Sequence, residues 1–420
     1  MSLAAISLIV LVVVVAIGFI KKVNLGFLSL GVAFILGTVG GMTAKEISKG
    51  FDSSMFVTLV GVTFLFGMAS QNGTLELFSK KIVALVGKRT VLIPILMFFL
   101  SALISAIGPG HIAAGILMTT FAMFLAFEMG INPVITALFA KLGANAGCAS
   151  PLSLTGVLAK SLSEPLGYSG FGLHLFLSTL LSGLIFTLIL YIATKSYKVK
   201  ADNPLKLADI PKFNRNQWFT VAAIIIMVIC CIGFKLDTGL FAFVMAAILV
   251  LLGCADEKKA IKGVPWGTLI FICGVGCLVN VINKLGGITL ISDFLTSLMG
   301  EKSAVPIMSA TSGVLSWVSS TTGVVMPALF PIAADVANTF PSVSYVELIS
   351  AITATSFAAA ISPLSTGGAI IMSSYSASKE TTNAEMNKIF RQLFLLSVAN
   401  VALNVLLSWL GVFNLGGLFY

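Results

Sequence analysis

The sequence predicts an all-α integral membrane protein made of two inverted-topology repeats of five spans, each with a re-entrant hairpin and a broken helix. Three observations carry this prediction. Hydrophobic residues make up 58% of the 420 positions and charged residues only 10%, and mean hydropathy is +1.06, far outside the globular range. Apolar stretches of about 18–20 residues, the length that crosses a hydrocarbon core, recur along nearly the whole chain and leave no sizeable soluble domain. Two of these stretches, one in each half of the chain, are interrupted by almost the same letters, "ASPLSLTG" at 149–156 and "ISPLSTGG" at 361–368.

The first stretch, 3–20, has no basic residue before it and no small-residue cleavage pattern after it, so it reads as a span and not as a removable signal peptide. In order, spans are expected at 2–20, 24–42, 54–72, 132–160, 172–194, 217–234, 238–254, 266–284, 345–375 and 393–413, with two further apolar stretches at 91–127 and 304–335. The net charge of +9 follows the loops: 18 of the 25 Lys and Arg fall on the side that holds Lys21, Lys22, Lys80, Lys81, Lys88, Arg89, the 195–215 loop, Lys258, Lys259, Lys262 and the 376–392 loop. By the positive-inside rule that side is cytoplasmic, which puts both termini outside a cell inner (plasma) membrane. The basic excess is thus a topology signal, and no nucleic-acid partner is expected. Cys148, Cys230, Cys231, Cys254, Cys273 and Cys277 lie in or at the ends of apolar segments without a metal-ligand pattern and read as small core residues.

Sliding the chain so that Ser150 falls on Ser362 lays Ser150-Pro151-Leu152-Ser153 on Ser362-Pro363-Leu364-Ser365, and the same shift lays Gly108-Pro109-Gly110 on Ser320-Thr321-Thr322. Each half then has the same order: a span ending near a glycine (Gly73, Gly287), an amphipathic stretch (75–86, 288–299), an interrupted apolar stretch, and the span with the S-P-L-S element. The expected units are residues 1–194, a polar cytoplasmic linker 195–216, and residues 217–420. Five spans per unit is an odd number, so the second copy is upside down. The stretches 91–127 and 304–335 are too long for one helix and lack the hydrophilic turn of two spans. A hairpin that enters the membrane and turns back fits them, because exposed backbone at its turn is tolerated where protein or a watery cavity covers it.

Proline inside a helix removes one donor and clashes with the preceding turn, and neighbouring Ser, Thr and Gly permit an unwound segment. A single such element reads as a proline kink. Two at matched positions, each aligned with a hairpin tip, point to a secondary transporter, where half-helix N-termini face anionic groups and freed carbonyls with hydroxyls hold a cation. A channel would also use hairpins, but two opposed hairpins on an inverted repeat favour alternating access. A membrane protease needs paired aspartates or a placed Ser–His couple, so no enzyme activity is expected. A sodium/proton antiporter, the alternative within transporters together with carriage of another small organic anion, wants buried carboxylates, in which this site is poor.

On these motifs the chain resembles the ion transporter superfamily, which includes the divalent anion/sodium symporters, and within it the malonate/dicarboxylate carrier (MatC-type) family. The opening "VNLGFLSLGVAFILGTVGGMTAKEISKGFDSSMFVTLVGVTFLFGMASQNGTLE" at 23–76 is similar to that family's N-terminal region. The symporters carry Ser-Asn-Thr at each hairpin tip; here Ser319-Ser320-Thr321-Thr322 matches in part, without the asparagine, and Gly108-Pro109-Gly110-His111 departs altogether. The resemblance implies uptake of a small dicarboxylate such as malonate or a four-carbon acid, sodium as coupling ion with no other cofactor, a homodimeric scaffold, and hairpins and broken helices that move as an elevator.

The residues expected to contact substrate are Gly108, Pro109, Gly110, His111, Ser153, Ser320, Thr321, Thr322, Ser365 and Thr366. Those expected around a cation are Asn145, Ser150, Ser153, Thr155, Ser319, Ser362, Ser365 and Gly367, with no metal beyond sodium. Lys141, the one basic residue inside a span, leaves two readings open: a functional cation or a side chain snorkelling to the cytoplasmic interface. His174 opens a span and reads as interfacial, and Glu128 and Asp335 end the second hairpin arms at the membrane surface.

Overall fold

A computed structural model of the chain describes residues 2–21, 23–51, 53–86, 90–198, 207–234, 236–264 and 266–417. Lys22, Lys88, Arg89 and positions 199–206 of the expected linker lie outside the described residues. Among the described residues the secondary structure is helical, with no strand. Residues up to 194 form α1 (Leu3–Lys21), α2 (Leu25–Val39), α3 (Ala44–Ser48), α4 (Ser53–Gln71), α5 (Thr74–Val86), α6 (Ile93–Ala106), α7 (Gly110–Met129), α8 (Pro133–Gly147), α9 (Leu154–Ser163) and α10 (Gly172–Ala193). Residues from 215 form α11 (Arg215–Gly233), α12 (Thr238–Leu251), α13 (Glu257–Gly263), α14 (Trp266–Lys284), α15 (Gly287–Ser297), α16 (Ala304–Val318), α17 (Met326–Thr339), α18 (Tyr345–Ala359), α19 (Thr366–Ser378) and α20 (Asn383–Trp409). Helices α1 to α10 and α11 to α20 follow one another in the same order of long and short elements.

The ends of these helices are written locally. Asn24 accepts from Gly26 N and Phe27 N to start α2, and Gly41, at φ +77°, turns the chain just beyond that helix, which ends short of the expected boundary at 42. Asn132 caps α8 with Pro133 at its first position. Thr382 and Glu385 form a capping box that starts α20 at 383, well before the span expected from 393, because its first turns are too polar for a hydropathy window. Among the described residues three helices, α7, α10 and α20, are each long and apolar enough to cross a membrane, and α4 with α5 qualify as a pair bent by 66°. Others are shorter: α2, at 15 residues, reaches only about 22 Å along its axis.

Packing is reciprocal between the halves. α4 packs on α12 and α14 packs on α2. The first contact brings Gly61 against the Gly239 carbonyl and the second brings Gly274 against the Gly26 carbonyl, so that a side chain at Gly61 or Gly274 would strike the partner backbone. Within each half the hairpin lies on the broken helix, α6 on α8 and α16 on α18. Ser105 Oγ donates to the Ala144 carbonyl at 2.7 Å, and Ser316 Oγ donates to the Ser356 carbonyl at 2.8 Å. The halves are also tied at their edges, where Lys284 pairs with Glu46 at 3.4 Å and Asn72 Nδ2 donates to Thr220 Oγ1 at 2.8 Å.

Candidate substrate and cation site

Both S-P-L-S elements fold into the same local structure. α8 stops at Gly147 and α18 at Ala359; the chain unwinds over 148–153 and 360–365 before α9 and α19 begin. In the first break Leu152 N donates to Ser150 Oγ at 3.3 Å and Ser153 N to the Ser150 carbonyl at 2.9 Å. In the second Leu364 N donates to Ser362 Oγ at 3.2 Å and Ser365 N to the Ser362 carbonyl at 3.0 Å. Ser153 (φ −103°, ψ 158°) and Ser365 (φ −108°, ψ 169°) are extended, and each precedes a new helix whose first N–H groups have no intrahelical acceptor. Gly156 and Gly368 let each loop fold back on that helix, since a Cβ there would meet the backbone of Ser150 or Ser362.

The first hairpin turns between α6 and α7 at 107–109. Gly110, at φ +69°, lies against the first break: a Cβ built on it would be 3.5 Å from Ser153 Oγ and 3.1 Å from Leu154 Cβ. His111 follows and is buried, its ring edge-on to Phe357 with centroids 4.8 Å apart and its Nδ1 without a hydrogen-bond partner among the described residues. In the second hairpin α16 ends at Val318, and after Ser319 and Ser320 a π-helical turn, Thr321–Val325, leads into α17. There Ser319 Oγ donates to the Leu315 carbonyl, Ser320 Oγ accepts from Gly323 N, and the Ser316 and Thr321 hydroxyls share a hydrogen bond. Thr322 is fully buried, and its hydroxyl has no partner among the described residues.

Lys141 joins these pieces. It sits in the middle of α8, 2% exposed, and its Nζ donates to the His111 carbonyl at 3.0 Å. Gly115 of α7 makes room for the ammonium, 2.7 Å from where a Cβ would stand, and Gly367 at the start of α19 makes room for Cε at 2.8 Å. The ammonium therefore lies where the first hairpin meets the second broken helix. Of its three donors one is used, toward the His111 carbonyl, and among the described residues it makes no ion pair with a carboxylate. A buried cation left so is strongly disfavoured without a counter-charge, and an anion bound there would supply it.

Asn145, one turn after Lys141, donates its side-chain amide to the Phe357 carbonyl at 3.1 Å. Its Oδ1 has no partner among the described residues, and the residue lines a cavity of about 20 Å³ shared with Thr179, Ser182 and Asn400, room for one water. Of the expected site residues, the structure thus groups Gly110, His111, Ser153, Asn145 and Gly367 around Lys141 and Phe357. Gly108 instead packs on Phe66 of α4. Ser150 and Ser362 use their hydroxyls inside their own loops, and Ser365 Oγ donates to the Ala360 and Ser362 carbonyls. Thr155 is fully buried, whereas Thr366 is exposed and Ser319, Ser320 and Ser365 are half-buried. Both breaks reach the surface of the protein, through exposed Pro151 in the first and exposed Leu364 in the second.

The structure decides between the two readings of Lys141. Lys141 does not snorkel: the room for its head is the gap left by Gly115 and Gly367, well inside the bundle, and the side chain turns there. His174, in the first turn of α10, is completely buried within the protein, and its Nε2 pairs with the Phe413 carbonyl at 2.7 Å where the C-terminal segment folds under α10. Gly115 and Phe357 were not picked out from the sequence; a glycine on an apolar helix and a phenylalanine in an apolar run carry no chemical signal until the fold places them beside Lys141 and His111.

Residues 1–148 match the family model of the dicarboxylate carrier protein MatC N-terminus. An uncharacterized transporter of Methanocaldococcus jannaschii is 28% identical over 243 residues, 54% of this chain and 52% of that protein, so the chain spans about half the length of the curated relative it matches. Among solved structures, the YdaH transporter of Alcanivorax borkumensis superposes with a TM-score of 0.62 at 14% identity, covering 91% of this chain and 89% of that one. MtrF of Neisseria gonorrhoeae, described within a class of antimetabolite efflux pumps, superposes at 0.56 and 12% identity over 90% and 83% of the two chains. The fold is thus shared along nearly its whole length with solved transporters, and the first 148 residues are similar to the N-terminal part of the MatC dicarboxylate carriers.

Proposed function

We propose that the protein is a secondary active carrier of small dicarboxylates, of the malonate or four-carbon type, that it is coupled to sodium, and that it works by elevator-type alternating access as a homodimer in the cell inner membrane. The observation that carries this reading is Lys141, a buried ammonium held between a hairpin and the opposite broken helix without a carboxylate partner among the described residues. One carboxylate of the substrate meets that charge and the N-terminal N–H groups of α19. The other meets the N-terminal groups of α9 and the hydroxyls of the second tip. The MatC match supports the substrate class, and the matched helix order with reciprocal packing supports two inverted repeats, 1–194 and 217–420, joined on the cytoplasmic side. Nothing in this reading involves bond-making, and the protein acts as a carrier and not as an enzyme.

The test is a thermal-shift screen of purified protein against malonate, succinate and monocarboxylates, with sodium or choline as counter-ion, because a ligand that binds the native state raises its apparent stability. Dicarboxylates should raise the unfolding temperature in sodium and less or not at all in choline. A response to monocarboxylates alone would eliminate the assigned substrate class.

A further inference from the structure

α20 carries its polar residues on one face. Ser397, Asn400, Asn404 and Ser408 recur at helical spacing through an otherwise apolar stretch, and all four are buried, so the stripe points into the bundle and not toward lipid. Most of it is satisfied nearby. Ser397 Oγ donates to the Ala359 carbonyl at 2.9 Å and Ser408 Oγ to the Asn404 carbonyl at 2.7 Å. Asn404 Oδ1 accepts from Ser182 Oγ of α10, and Asn404 Nδ2 donates to the Asn400 carbonyl at 2.9 Å and to Asn400 Oδ1 at 3.2 Å. These bonds fix the sense of the Asn400 amide. Its Oδ1 is taken by Asn404, and its Nδ2 makes no hydrogen bond among the described residues.

Asn400 lines the cavity of about 20 Å³ between α8, α10, α18 and α20, and Asn145 lines it too. Asn145 gives its Nδ2 to the Phe357 carbonyl, which leaves Oδ1 buried and without a partner among the described residues. Both asparagines are only 3% exposed. The cavity is therefore bounded by one unpaired acceptor and one unpaired donor. A cation would satisfy the acceptor alone, and an anion the donor alone. Water satisfies both, and the volume admits one molecule. Its second proton has an acceptor in the hydroxyl oxygens of Thr179 and Ser182 on the same wall, each of which donates elsewhere and keeps a lone pair. Cavities that stay dry are apolar, and lipid offers these buried amides no other partner.

We propose that one ordered water molecule occupies this cavity, donating to Asn145 Oδ1 and accepting from Asn400 Nδ2, and that Asn400 is through it a positioning residue for the site at His111 and Lys141. The path is short. It runs from Asn400 through the water to Asn145, and from Asn145 to the Phe357 carbonyl; the Phe357 ring is edge-on to His111, and Lys141 stands one turn before Asn145 on α8. The water follows from this geometry alone, whereas its effect on substrate rests on the dicarboxylate reading above.

The experiment determines the structure of the full-length protein, in sodium and in choline, at a resolution that shows ordered water, and measures unfolding and malonate binding of purified variants. In both salts a single peak should stand at hydrogen-bond distance, about 2.7–3.1 Å, from Asn145 Oδ1 and Asn400 Nδ2. A dry cavity, or a peak present in sodium and gone in choline, would overturn the proposal. Asn400→Leu, close in volume, removes the donor and should weaken malonate binding about three- to tenfold, while Asn400→Ser, which keeps a hydroxyl and room for the water, should stay within about twofold of the parent. Parent-like affinity in folded Asn400→Leu would end the positioning role. Combining Asn145→Leu with Asn400→Leu should lower the unfolding temperature by less than the sum of the two separate losses, because both changes break one bridge; strictly additive losses would show that the two amides act independently. The two readings fail separately. A water peak with sub-additive losses but no dicarboxylate binding sinks the substrate assignment and leaves the bridge, whereas malonate binding over a dry cavity sinks the bridge and leaves the substrate assignment.

Discussion

Asn145 hydrogen-bonds the main-chain carbonyl of Phe357 at 3.1 Å, and the two residues stand at the same interval in the chain as the two S-P-L-S breaks. When a chain holds two related copies, a residue meets its own counterpart only beside the axis that exchanges them. In the two-repeat arrangement proposed above, the crossing of α8 and α18 would mark that axis, with His111 and Lys141 beside it. A site at this place is open to either half, as an alternating-access carrier needs.

Asn145→Leu removes that hydrogen bond and leaves the Phe357 carbonyl buried and unpaired. Loss of a buried partner costs about 1–3 kcal/mol. Thermal unfolding of the purified variant should show a loss of that order relative to the parent, and Asn145→Gln should restore little of it because the longer side chain has only a small cavity to enter. A parent-like unfolding curve for Asn145→Leu would mean that the two helices do not depend on this contact.

Lys141→Met keeps the length and apolar packing of the side chain and deletes its charge. If the ammonium meets a substrate carboxylate, the lost charge-assisted bond costs about 1.5–3 kcal/mol, or one to two orders of magnitude in malonate affinity. Gly367→Ala should act in the same direction through position, since its Cβ would crowd both Lys141 Cε and the Ala360 carbonyl. Isothermal titration with malonate separates these from a folding defect. Unchanged malonate affinity in folded Lys141→Met would leave the lysine as a structural clamp on the first hairpin.

The orientation of the halves is open to labelling. In a variant freed of its native cysteines, a single cysteine at Lys258 should react with an impermeant maleimide only from the cytoplasm, and one at Lys302 only from outside. Reaction of both from one side is incompatible with the inverted arrangement.

Much of this arrangement was legible in the letters. Hydropathy gave the helical class, and the repeated S-P-L-S element gave the position of the breaks, because proline and its hydroxyl neighbours act on the backbone locally. Helix ends set by caps, such as Thr382 for α20, lay beyond a hydropathy window. The centre of the site was half legible. Lys141 stood out as a charge in an apolar run, but whether it pointed to the interface or inward depended on Gly115 and Gly367, glycines on two other helices that matter only once all three are packed together. The hydroxyls showed the reverse problem: Ser150, Ser362 and Ser365 looked like ligands, yet their loops use them first.

His111 divides the remaining possibilities. Its carbonyl holds Lys141, a role that any residue with the same backbone would fill, while its ring stacks edge-on to Phe357 and keeps Nδ1 without a partner among the described residues. A ring nitrogen so placed, beside an ammonium that needs an anion, is available to donate one hydrogen bond to a carboxylate. His111→Ala preserves the carbonyl and removes the donor, so malonate affinity should fall about ten- to hundredfold while sodium binding stays within about threefold of the parent. His111→Gln, which offers an amide donor at similar reach, should recover part of the loss. His111→Phe keeps the aromatic contact with Phe357 and lacks the donor, so it should be as stable as the parent and as weak as His111→Ala. If His111→Phe binds malonate like the parent, the ring serves only to pack the hairpin against α18, and the carboxylate must be held by Lys141 and the helix N-termini.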